Sequence, residues 1–157
     1  MALRPGVLAG ALSLAAASCR PSAGTVEMSW TGSDTGEVVL SAQARRCADG
    51  PVELIATSGD TGIAIALFGA RPLTAGSYPV SVGAAHSVPP AATVGARWLD
   101  SAAVAGYRGL SGAVTLSEAN PELTGRFAVE AGPRQGSGLV QITGAIRSVP
   151  VEGCPQA

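Results

Sequence analysis

The stretch "TVEMSWT" (Thr25–Thr31) decides the fold class. Val26, Met28 and Trp30 fall on one side, and Thr25, Glu27, Ser29 and Thr31 on the other. A period of two is that of a strand with one greasy and one wet face. "GEVVLSAQARRC" (Gly36–Cys47) continues the pattern, with Val38, Leu40, Ala42 and Ala44 sharing a face.

Outward from there, "PVELIATS" (Pro51–Ser58) and "GIAIALFG" (Gly62–Gly69) are short apolar runs bounded by Gly or Pro, and read as strands. "GSYPVSV" (Gly76–Val82) reads as an edge strand, because Pro79 cannot donate to a ladder. The paired prolines of "GAAHSVPPAAT" (Gly83–Thr93) predict a loop. "VGARWLD" (Val94–Asp100) restores alternation through Val94, Ala96 and Trp98. One turn of helix is predicted at Asp100–Ala105, and a strand at Ala113–Ser117. In "ELTGRFAVEA" (Glu122–Ala131), Leu123, Phe127 and Val129 face inward; in "GLVQITGAIRSV" (Gly138–Val149), Val140, Ile142 and Ile146 do. Glu130–Gly138 joins these two as a hairpin loop.

About eight to nine short strands with no sustained helical period predict an all-β fold, an antiparallel β-sandwich, with a small β-barrel as the alternative. Gly (21) and Pro (11) are frequent among the 157 residues, as turn-rich chains require. Charged residues are 13% and hydrophobic ones 46%, which excludes a disordered chain. The net charge of -1 offers no field for nucleic acid. All ten basic residues are Arg.

The first segment reads as an address. Arg4 supplies a positive start, and Val7–Ala17 is an apolar run too short to span a bilayer. The small residues of "AASC" (Ala16–Cys19) follow. This segment resembles the signal of bacterial lipoproteins, in which a Cys after small residues is lipidated before cleavage. The family usually has Leu three positions before that Cys, where this chain has Ala16. The resemblance covers Met1–Cys19 only and implies a signal peptide over 1–18, a lipid on Cys19, a short tether to Gly24 and a single β domain over 25–157. It implies an exported, membrane-anchored envelope protein, in the outer membrane where the host has one, since Arg20 is not the Asp that retains lipoproteins at the inner membrane. The other reading is plain secretion, with Ala15–Ala17 as the cleavage site.

Three cysteines are an odd number for an oxidising compartment. With Cys19 lipidated, Cys47 and Cys154 remain, and a disulfide between them is expected; two buried free thiols are the alternative. Two distant Cys and the single His86 have no zinc spacing.

The tripeptide Asp-Thr-Gly occurs twice, in "SDTG" (Ser33–Gly36) and "GDTG" (Gly59–Gly62). In aspartic proteases this tripeptide carries the catalytic carboxylate. A meander of the first four strands puts both on one rim, two strand spacings or roughly 10 Å apart. A shared-proton dyad needs about 3 Å. Asp and Gly are turn residues for their own reasons, so both motifs are expected to be turns. Asp34, Glu37 and Asp60 are left as weak cation ligands on that rim. The same meander starts its first strand at the rim of Cys47, and about five tether residues reach at most roughly 17 Å. Lipid and disulfide then share a membrane-facing rim, and the Asp-Thr-Gly turns point away.

His86, in a proline-rich loop, has no acid near it in sequence; no nucleophile elbow, P-loop or dinucleotide fingerprint is present. Arg45 and Arg46 read as solvated charges at a strand end or as contacts to anionic head groups. Trp30 and Trp98 read as core, with a ligand-stacking platform as the lesser reading. No cofactor is expected. The function expected is binding or structural, with an envelope protein as partner at the distal loops. A small envelope hydrolase and a soluble ligand-binding sandwich are the alternatives.

Overall fold

The computed structural model describes residues 23–84, 88–101 and 103–154. Cys19 and His86 lie outside them. Nine strands follow in order: β1 (Gly24–Thr31), β2 (Thr35–Arg46), β3 (Val52–Ser58), β4 (Thr61–Phe68), β5 (Gly76–Pro79), β6 (Ala91–Asp100), β7 (Ala103–Glu118), β8 (Glu122–Pro133) and β9 (Val140–Gly153).

Eight of them close into an antiparallel barrel rather than the expected sandwich. The ring runs β1-β2-β3-β4-β6-β7-β8-β9, and β9 returns to β1. This is the up-and-down order in which each strand pairs with its chain neighbours. The ninth strand, β5, lies outside the ring on the second half of β7. It is an edge strand, as Pro79 demands. β7 bends to serve both neighbours: its first half pairs with β6 and its second half with β5, and its register to β8 slips between Gly109 and Ser111.

Closure explains the inside. An eight-stranded barrel is just wide enough for side chains to fill. The alternating residues Val26, Met28, Leu40, Leu54, Ile65, Trp98, Phe127 and Ile142 are all at most 2% exposed and form one core. The expected inward faces are therefore observed, but they meet around a closed ring rather than between two sheets.

Three local expectations are revised. Among the described residues there is no helical turn at Asp100–Ala105: Asp100 ends β6, Ser101 takes φ +50°, and Ala103 opens β7. The strand expected at Ala113–Ser117 is the far half of a sixteen-residue β7. The loop expected over Gly83–Thr93 ends early, since β6 begins at Ala91, directly after Pro90.

The up-and-down order sorts the connections by rim. One rim carries the β1–β2, β3–β4, β6–β7 and β8–β9 turns. The other carries the β2–β3 and β7–β8 turns, the start of β1 and the end of β9.

Candidate functional site

At the rim where β1 starts, β2 runs past Gly24, the first residue of β1. The end of β9 fills the place beside it. Ala44, Arg45 and Arg46 pair in parallel with Val151, Glu152 and Gly153. Ser148, at φ +46°, marks the kink that lets β9 leave β1 for β2. Gly24 sits against that kink, where an added Cβ would lie 2.4 Å from the Val149 Cα. The parallel register carries on by one residue. The Cys154 N–H donates to the Arg46 carbonyl at 3.3 Å, and Cys47 and Cys154 are joined in a disulfide with Cα atoms 4.9 Å apart. The expected pairing is present. On the same rim Arg46 follows the inward series of Leu40, Ala42 and Ala44. Burial and the neighbouring Arg71 lower its pKa, while Tyr78 opposes them. Its Nη2 donates to the Ala70 carbonyl at 3.4 Å. Arg71 pairs with Asp49 across the rim.

The opposite rim holds both Asp-Thr-Gly motifs, and both are turns. Gly59 and Asp60 form a two-residue hairpin loop with Gly59 at φ +57°, which fits a type II′ turn. Asp34 ends the β1–β2 loop; its Oδ1 accepts from the Thr35 N–H at 2.7 Å and its Oδ2 from Trp30 Nε1 at 3.4 Å. In each motif Thr and Gly already belong to the next strand, and each Gly seats the side chain directly across. Gly36 faces Trp30 and Gly62 faces Thr57. A Cβ on Gly36 would meet the indole at 2.2 Å, and one on Gly62 the Thr57 methyl at 2.8 Å. The candidate cation ligands Asp34, Glu37 and Asp60 are not gathered: among the described residues no three His, Cys, Asp or Glu are placed to hold a metal.

Beneath these turns an aromatic stack plugs the barrel. Trp98 lies between Trp30, at 4.7 Å, and Tyr107, at 4.1 Å between centroids, with planes within 20°. Trp98 is 1% exposed, so the stack is core and not an accessible platform. Its Nε1 has no partner among the described residues. Burial, and then the charges of Asp100 and Asp34, raise the pKa of Tyr107.

The fourth feature has no signal in the sequence. A groove of about 490 Å³ lies on the outer face of β3, β4, β6 and β7. Its floor is small, with Ala64, Gly95 and Gly106; Ile55 and Val104 border it, and Arg97 and Arg134 stand at its sides. Ile55 and Val104 are 42% and 48% exposed. Only the pairing register brings these residues together, so no motif announces them.

Compared with known proteins, the chain matches no family model, no curated protein and no solved structure.

Proposed function

We propose that this chain is an exported lipoprotein. In this reading a small β-barrel with a binding or structural role is held at an envelope membrane by acyl chains on Cys19. The observation that carries the reading is the Cys47–Cys154 bridge. Disulfides persist in oxidising compartments, so the bridge fits export. It also takes two of the three cysteines, leaving Cys19 as the odd one. The bridge and the first residue of β1 share a rim, so a short tether from Cys19 would hold that rim toward the bilayer. The rim with the Asp-Thr-Gly turns, and the groove on the flank, would then face the envelope space and any partner there.

Metabolic labelling with a fatty acid tests the anchor. Wild type is expected to carry label and to fractionate with membranes; Cys19→Ala is expected to lose both properties. A mature wild-type chain that begins elsewhere than at an acylated Cys19, and is soluble, would replace this reading with a secreted ligand-binding barrel. A pull-down from envelope extract tests for the protein partner. An envelope hydrolase has one test here: an activity that disappears in Asp34→Asn with Asp60→Asn.

A further inference from the structure

The flank groove is built from two adjacent rows of outward-facing residues. One row runs Thr57, Gly62, Arg97, Gly106, and the next runs Ile55, Ala64, Gly95, Arg108. Glycine inside a strand weakens it and often marks a place where something approaches the backbone closely. Most such glycines in this barrel answer to the barrel's own packing, as Gly36 and Gly62 do. Gly95 and Gly106 do not. A Cβ on Gly95 would find nothing nearer than the Tyr107 carbonyl oxygen at 3.8 Å, and one on Gly106 nothing nearer than the Arg134 Cδ at 3.6 Å. Both distances are ordinary contacts, and neither residue has a positive φ. The fold accepts a Cβ at both positions: Gly95 lies open, and Gly106 carries only the Arg134 stem over it.

The charges round the groove are also unspent. Arg45, Arg71 and Arg147 are each paired with a carboxylate. Arg97, Arg108 and Arg134 are exposed and make no ion pair among the described residues. Arg97 and Arg134 line the groove, and Arg108 and Arg134 line a contiguous hollow beside it.

We propose that this groove binds a small anionic amphiphile. An apolar chain or fused ring would lie on Ala64, Gly95 and Gly106 between Ile55 and Val104, and its carboxylate or equivalent anion would sit between Arg97 and Arg134. The groove volume falls in the roughly 300–1,000 Å³ range of small-molecule sites. Three strand spacings, from β3 to β7, allow an apolar body of roughly 14 Å. Main-chain groups on these strands are already paired round the ring, so the arginine forks supply the polar recognition, and they suit an anion held bidentately. A second barrel would offer a convex flank, which does not fill a concave slot. The proposal rests on the groove alone, and not on the lipid anchor.

The test is photolabelling of the full chain in whichever cell fraction carries it. The probes are a diazirine-bearing long-chain fatty acid, the matching uncharged alcohol, and a diazirine-bearing phosphatidylglycerol. The fatty acid is expected to label peptides within 52–68 and 91–108. The alcohol is expected to label them at least about tenfold less, a difference that follows from losing one anion–arginine contact. Gly95→Leu with Gly106→Leu, and separately Arg97→Gln with Arg134→Gln, are each expected to reduce labelling by at least about tenfold. The arginine changes are on the surface and leave folding intact, which the Cys47–Cys154 bridge on a non-reducing gel checks. Labelling spread evenly over the barrel, or unchanged in the variants, overturns the proposal. So does labelling by phosphatidylglycerol alone, which assigns the groove to the bilayer, and so does no labelling at all, as when a second copy covers it.

Discussion

The indole of Trp30 lies flat over the α-carbon of Gly36, its direct partner across the β1–β2 pair. Phe127 and Gly144 repeat the arrangement on β8 and β9, with a Cβ on Gly144 falling 2.3 Å from the Phe127 ring. An aromatic ring over a cross-strand glycine covers bare backbone and pins register. Gly36→Ala forces a Cβ into the indole that caps the Trp30–Trp98–Tyr107 stack. It is expected to cost about 1–3 kcal/mol, the usual range for overpacking. Denaturant midpoints measure it. Trp30→Leu in the Gly36→Ala background should give back part of that loss, whereas additive losses would mean the two residues do not share the space.

The bridge at the other rim closes a loop of 107 residues, between strands whose pairing is already parallel and in register. Long loops lose the most unfolded-state entropy when cross-linked. Cys47→Ser with Cys154→Ser is therefore expected to lose about 2–4 kcal/mol. The ring of β1 to β9 should survive, because its closure depends on the β1–β9 and β7–β8 pairings and not on the bridge. Far-ultraviolet circular dichroism below the transition checks survival, and the shift in midpoint with reductant checks the loss.

On the outer face, Arg147 of β9 donates two hydrogen bonds to Glu27 of β1, at 2.7 and 3.0 Å. These bonds hold the Glu27 carboxyl below its ordinary range; desolvation opposes them, and the Arg147 charge adds to them. The folded-state pKa is thus below the unfolded one. The contribution is present above the ordinary carboxylate pKa and is lost as pH falls through the depressed value. Glu27→Gln is expected to lower the melting temperature slightly at neutral pH, slightly because the pair is exposed, to leave it unchanged below the depressed pKa, and so to flatten the acid limb by that small amount. Half-molar salt should shrink the wild-type difference. An unchanged acid limb in Glu27→Gln would assign that limb to other carboxylates.

Tyr107 gives the opposite sign at the other end of the scale. Burial first, and then Asp100 and Asp34, raise its pKa above the ordinary phenol value. Its contribution is full below the unfolded value and is lost as pH rises through the folded one. Spectroscopic titration should show a phenolate that appears late in the native protein. Asp34→Asn with Asp100→Asn should bring it earlier without removing the effect of burial. Tyr107→Phe should remove the corresponding alkaline loss of stability.

The strands were legible because their cause is local. Val26, Met28 and Trp30 alternate whatever they pack against, and so do Val94, Ala96 and Trp98. The architecture was not, because it depends on partners far apart in sequence. Val26 pairs with Ile146, and nothing in either strand says that the last one returns to the first. Without that pairing the same inward faces suit a sandwich equally well. The helical turn at Asp100–Ala105 failed for a smaller reason: Ala and Ser permit helix, and the positive φ of Ser101 is set by the hairpin it must make. The Asp-Thr-Gly turns were legible as turns, but the second duty of their glycines was not. That duty needs the identity of the residue opposite. The groove was hidden in the same way, since Gly106 meets Arg97 only through register.

Gly95 and Gly106 make one more prediction, and it separates stability from binding. Glycine gains more backbone entropy on unfolding than alanine does, so Gly→Ala at a compatible position stabilises by about 0.4–1 kcal/mol. Compatibility means an ordinary φ and room for a Cβ, and both positions have them. Gly95→Ala and Gly106→Ala are each expected to raise the melting temperature, and Gly36→Ala to lower it. Gly112→Ala should lower it further still, since φ is +111° there and its Cβ would lie 2.2 Å from the Ala128 carbonyl oxygen. A substitution that stabilises the fold while filling the groove means the glycine is kept for something other than folding. If Gly95→Ala and Gly106→Ala destabilise as Gly36→Ala does, the barrel itself needs both glycines, and the empty floor ceases to point to a ligand.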